Sequence, residues 1–169
     1  MRPLDYVIIL NDHAVLRECV MRAPDDIYLG LTAAEIADYQ AELVDELILD
    51  ASFKLLTKFE SDIKLDIVNT IKSGWQDPLS KWYRSHVLFS AAKDMSNIGM
   101  RRILQDLEHW FRQNKRVDHV LCAELRSYYD FRNWYAHGRF LQRMPICPVP
   151  ARVEQLAQQL VLSIIDRQH

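Results

Sequence analysis

Only four glycines and six prolines punctuate the 169 residues of this chain, and that scarcity constrains its fold more than any other feature. Sheets built from many short strands need turn residues every 8–12 positions, and such residues are largely missing here. Long amphipathic helices joined by short connections are what remain. With 49% hydrophobic residues, the chain is large enough to bury a real core as one domain over residues 1–169. No repeat, low-complexity tract or linker divides it.

Helix signals recur along the sequence. Asp12 to Met21 reads as a first amphipathic segment, with the preceding "YVIIL" open to an extended reading. Thr32 followed by Glu35 has capping-box spacing, and Leu31 with Ile36 has the spacing of a hydrophobic staple. The helical period then continues through Leu43, Leu47 and "FESDIKLDIVNTIKS" to Gly74, a C-terminal cap. Asp77-Pro78 predicts an N-cap and first-turn proline opening a helix through "LSKWYRSHVLFSAAK". Further helices are expected through "MRRILQDLEHWF", from Val117 to His137 with Gly138 as the stop, and through "ARVEQLAQQLVLSIID" after the breaker "MPICPVP". The prediction is an all-α bundle of five to six helices.

No apolar run is long enough to span a membrane, and "DYVIIL" is too short and wrongly flanked for a signal peptide. Cys19, Cys122 and Cys147 are odd in number and unpaired in spacing, which predicts free thiols and a cytoplasmic location. Charge is uneven. Residues 1–100 carry 10 basic against 16 acidic side chains, whereas residues 101–143 carry 9 against 5. A basic cluster is either a solvated face or a surface for an anionic partner. Between Asp25 and Asp50 there are eight acids and no base. That stripe is the wet side of a helix or a docking face for a basic protein.

Familiar catalytic motifs are missing: there is no phosphate-binding glycine loop, CxxC, HExxH or nucleophile elbow. Glu60, Asp62 and Asp66 resemble a carboxylate cluster, but Glu60 and Asp66 lie about 240° apart on an ideal helix, so neither a metal site nor a cofactor is expected. His86, His109 and His119 are single imidazoles on amphipathic helices and read as packing residues.

The stretch "FRNWYAHGRF" differs. Its Arg132, Asn133 and His137 place a guanidinium, an amide and an imidazole in the last turns of a helix. Asn133 and His137 share a face, about 40° apart, whereas Arg132 and His137 are separated by about 140°. One copy therefore makes no tight Arg–His pair, unless the helix loosens where Gly138 ends it. A second chain is the other way to complete the set. Arg102 with His109 and Arg112 with His119 have similar spacing; Ile103 breaks the pattern in the first, and a basic "NKR" turn interrupts the second. The bland reading of Arg132 is an ion pair with Asp130 or Glu60, and that of His137 is a favourable charge at a helix C-terminus.

These residues resemble the signature of the HEPN superfamily: an arginine, a polar residue, then a histidine four to six positions after the arginine. The likeness is strongest over 124–140 and loose over 47–144, where "FESDIKLD" and "DPLSKWYR" contribute. The resemblance implies an all-helical homodimer whose two motifs meet across a cleft. It implies a metal-independent endoribonuclease without cofactors, acting on single-stranded RNA as a toxin or phage-defence effector. His137 would be general acid or base, Arg132 would stabilise the phosphate, and Asn133 would orient one of them. The 2′-hydroxyl would attack to leave a 2′,3′-cyclic phosphate. Arg126, Arg139 and Arg143 are candidate RNA-backbone contacts. A cognate antitoxin or activator protein is an implied partner. Members silenced by nucleotidyl transfer carry a tyrosine two residues after the histidine; here that position is Arg139, which lacks the acceptor hydroxyl. The alternative expectations are a non-catalytic RNA- or nucleotide-binding module and a helical protein-interaction partner in a toxin–antitoxin or defence complex.

Overall fold

The computed structural model describes residues 4–90, 95–137 and 145–165, and within these the chain is all-helical. The elements are α1 (Leu4–Met21), a 3-10 turn (Asp25–Tyr28), α2 (Ala33–Ser73), α3 (Pro78–Ser85), α4 (Val87–Ser90), α5 (Met100–Gln113), α6 (His119–Ala136) and α7 (Pro150–Ile165). Seven helices among the described residues exceed the expected five to six, for the reason given below at His86. None is long and apolar enough to cross a membrane.

The spine is α2, whose 41 residues extend about 60 Å at 1.5 Å per residue. Its start follows the capping box. Glu35 N–H donates to Thr32 Oγ1 at 3.3 Å, and Thr32 N–H donates to Glu35 Oε2 at 2.7 Å. Its end is set by Gly74 at φ +70°, a left-handed conformation that glycine adopts without the cost an L side chain incurs. Every wholly buried residue of α2 lies from Ala51 onward. The helix is therefore embedded in the body over its C-terminal half and leaves it over the N-terminal half, where α1 is its neighbour.

Two expectations need correction. The helix α1 begins at Leu4, not near Asp12, so "YVIIL" is helical. Tyr6 explains this: its ring is 1% exposed and its hydroxyl donates to Asp62 Oδ2 at 2.9 Å, docking the first turn onto α2. Lys58 completes the arrangement with an ion pair to Asp62 and a position over the Tyr6 ring. The helix starting at Pro78 is interrupted at His86, whose backbone is extended (φ −76°, ψ 123°). Asp77 caps it as expected, accepting from Ser80 N–H at 2.9 Å. The break swings Phe89 into the core, and the His86 ring packs 4.9 Å from both Trp82 and Phe89. Burial of the Phe89 ring, 1% exposed, offsets the few helical hydrogen bonds that the break forfeits. The last part of that expected helix, and the predicted stop at Gly138, lie outside the described residues.

The core joins Leu55, Leu56, Phe59 and Ile63 of α2 to Tyr83, Leu104, Leu107, Phe111, Leu125 and Tyr129, with Leu156 and Leu160 of α7 closing it. Side-chain bonds fix the helices axially. Tyr129 Oη donates to the Leu56 carbonyl at 3.0 Å, and Arg152 grips Glu124 through Nε and Nη2 at 2.7 and 2.6 Å. Ser52 Oγ donates to the Pro148 carbonyl at 2.7 Å, holding the segment before α7 against the spine.

Candidate active site at the C-terminal end of α6

The position of the Arg132–Asn133–His137 set follows from how α6 is buried. Cys122, Leu125, Tyr129 and Phe131 face the core, so their neighbours on the helix emerge around its rim. Arg132 is partly buried, whereas Asn133 and His137 are exposed. His137 is the C-cap: its N–H donates to the Asn133 carbonyl at 3.1 Å, and its φ of −91° and ψ of 16° mark the end of regular helix. Tyr135 stacks on Phe53 of α2 at 4.8 Å between ring centroids, which pins this last turn to the spine.

Arg132 reaches back to α2. Its Nη2 lies 3.1 Å from Glu60 Oε2, and the other Glu60 oxygen accepts from Lys64 Nζ at 2.7 Å. One carboxylate thus serves two cations, leaving the cluster with a net positive charge. Nη1 makes a long contact, 3.4 Å, to Asn133 Oδ1, and Nε is buried without a partner. An unmatched buried donor of that kind costs about 1–3 kcal/mol. Of the two acids considered for Arg132, Glu60 takes it; Asp130 instead pairs with Arg101 at 2.6 Å.

Among the described residues, no hydrogen bond or ring contact joins the His137 imidazole to Arg132. Arg132 and Asn133 are brought together, and His137 is exposed at the helix end. That agrees with the 140° separation on an ideal helix. Glu60 and Asp62 direct their carboxylates to different partners, Arg132 with Lys64 and Tyr6 with Lys58, and no group of three or more metal-type ligands converges among the described residues.

Among the described residues, the arginines of this basic segment are not free cations. Each of the six arginines from Arg101 to Arg132 has a carboxylate partner. Arg102 pairs with Asp106 and Arg116 with Asp118, while Arg112 and Arg126 share Glu108 at 2.8 and 3.1 Å. Arg126, a candidate RNA contact, is thereby tied within the α5–α6 pair. Arg139 and Arg143 lie outside the described residues. The count of 9 against 5 already contains Asp106, Glu108, Asp118 and Asp130; what it does not show is which arginine each acid meets, or that Arg132 takes Glu60 of α2.

Other reactive side chains near α6 are quenched. Burial pushes the Tyr129 hydroxyl well above its ordinary range, with the Glu60 charge adding to the effect, so it stays protonated. Burial likewise raises the Cys122 thiol far out of the range in which a thiolate forms. The fold and site together define an all-α domain with a guanidinium, an amide and an imidazole at one helix end. No protein-family model, curated protein or solved structure matches the chain.

Proposed function

We propose that this chain is a metal-independent endoribonuclease of HEPN type that cleaves single-stranded RNA as a homodimer, serving as a toxin or phage-defence effector. The observation that carries the reading is the Arg132 guanidinium, anchored on Glu60 beside exposed Asn133 and His137. The sequence likeness over 124–140 supplies the reaction class.

In the proposed reaction the RNA brings its own nucleophile. His137 of one copy takes the proton from the 2′-hydroxyl as its oxygen attacks phosphorus. The bond from phosphorus to the 5′-oxygen breaks, and His137 of the second copy returns a proton to that leaving oxygen. The products are a 2′,3′-cyclic phosphate and a 5′-hydroxyl, with no net redox change. Arg132 donates to the non-bridging oxygens as charge builds on the pentacoordinate phosphorus. A second chain is invoked because no bond joins His137 to Arg132 among the described residues and the two positions lie about 140° apart on an ideal helix.

The carboxylate-paired arginines favour a second reading, in which the domain serves as a helical partner of an antitoxin or activator; a module that holds RNA or a nucleotide without cutting it is the remaining alternative. One experiment separates these. Labelled RNA and its all-DNA analogue are incubated in EDTA with the protein, His137→Ala and Arg132→Ala. Cleavage of RNA alone, lost in both variants with unchanged circular dichroism, is the expected result. Retention of RNA without cleavage, or no engagement of RNA at all, overturns it in favour of the binding or scaffold reading.

A further inference from the structure

The half of α2 that leaves the body forms, with α1, an arm whose surface is not that of an ordinary solvated hairpin. More than half of the exposed large apolar side chains among the described residues lie between Val7 and Tyr39, about a fifth of the chain. Ile8 is 54% exposed, Val15 59% and Leu16 48%. A helix that is apolar on several sides is normally covered on several sides. Here α2 covers one side, and α7 touches α1 as well.

Between α1 and α2 runs a groove with Ile9, Leu16 and Leu47 along it and Asp12 and Asp50 at its edge. The Lys54 ammonium sits 2.7 Å from Asp50, and its charge is held by that hydrogen bond with the Asp12 field adding to it. His13, which also lines the groove, has a buried Nε2 with no partner. Ile9 and Leu16 are two helical turns apart, about 10 Å along α1.

Charge decides the occupant. Residues 12–50 contain ten acids and two arginines. Two such arms repel each other, so a second copy is a poor fit, and the phosphates of RNA or of an anionic bilayer are repelled likewise. A segment that is both apolar on one face and cationic on its flanks satisfies the groove and its edge together. We propose that the α1–α2 groove is the docking site for a basic amphipathic helix of a partner protein, which seats apolar side chains against Ile9, Leu16 and Leu47 and lays cations beside Asp12 and Asp50.

The test uses the full chain and a fluorescein-labelled 18-residue Leu/Lys peptide whose leucines recur at i, i+3, i+4 and i+7, read by fluorescence anisotropy. A scrambled peptide of the same composition lacks the apolar face. Variant D12N/D50N and variant L16S alter the groove. Variant D38N/D45N removes the same charge from positions about 120–140° around α2 from Asp50. Thermal melts establish that each variant is folded. Docking in the groove predicts binding of the Leu/Lys peptide that is about tenfold weaker in D12N/D50N and in L16S but changes less than about twofold in D38N/D45N. Equal losses in both charge variants, equal binding of the scrambled peptide, or no binding overturns the proposal. So does a shift in sedimentation showing that L16S abolishes self-association, which would assign the groove to a second copy.

Discussion

Glu60 Oε2 stands 3.1 Å from Arg132 Nη2, so the guanidinium of the candidate site is held by a carboxylate seventy-two positions earlier in the chain. Both side chains are mostly buried, at 25% and 16% exposure, and Lys64 shares the same carboxylate. Glu60→Gln is expected to lower stability by about 1–3 kcal/mol, because two cations lose their counter-charge in partly desolvated surroundings. Chemical denaturation of Glu60→Gln, Arg132→Gln and the double variant measures the coupling. Independent, additive losses would show that the pair does not interact in solution.

The first turn of α1 is anchored by one phenol. Tyr6→Phe removes the hydrogen bond to Asp62 Oδ2 while leaving the ring in place and Lys58 on the other oxygen. The expected cost is about 0.5–1.5 kcal/mol. Hydrogen exchange should locate it: amides of α1 exchange faster, while those around Leu104 and Leu107 keep their protection.

The clamp between α6 and α7 has a pH signature. Hydrogen bonds from Arg152 hold the Glu124 carboxyl below its ordinary range, with a weaker contribution from Tyr128. A carboxyl depressed in the folded state stabilises above its unfolded pKa, and that contribution disappears as pH falls through the lower, folded value. Acid titration of stability should therefore be shallower in Glu124→Gln below the ordinary carboxylate range, with the two proteins converging at the acid limit. A parallel offset at all pH values would contradict the assignment.

Thiol reactivity should divide by position. Cys19 is exposed, whereas Cys122 is fully buried with its thiol pushed far up. Native protein treated with a chromogenic disulfide reagent is expected to label Cys19 at the rate of a free thiol and Cys122 only on unfolding. Mass spectrometry of the labelled peptides checks this, and rapid labelling at Cys122 would mean that the α5–α6 pair opens.

Signals carried within one or two turns were legible from the residues themselves. Thr32 with Glu35, Asp77 with Pro78, and Gly74 each fix a helix end through bonds to near neighbours, and the structure places each where its local chemistry puts it. Long-range terms were not legible. The start of α1 depends on Tyr6 finding Asp62, and the interruption at His86 depends on Phe89 finding the core; neither partner is marked by spacing. The candidate site divides the same way. The placement of Asn133 and His137 near the helix end follows from local period. The engagement of Arg132 by Glu60, and of Arg126 by Glu108, follows from how α6 lies against α2 and α5.

Leu47 and Glu60 belong to one unbroken helix, thirteen residues or about 20 Å apart along its axis. Because Leu55, Leu56 and Phe59 are buried between them, the groove residue Leu47 and the anchor of Arg132 share one stiff backbone whose register is held by the core.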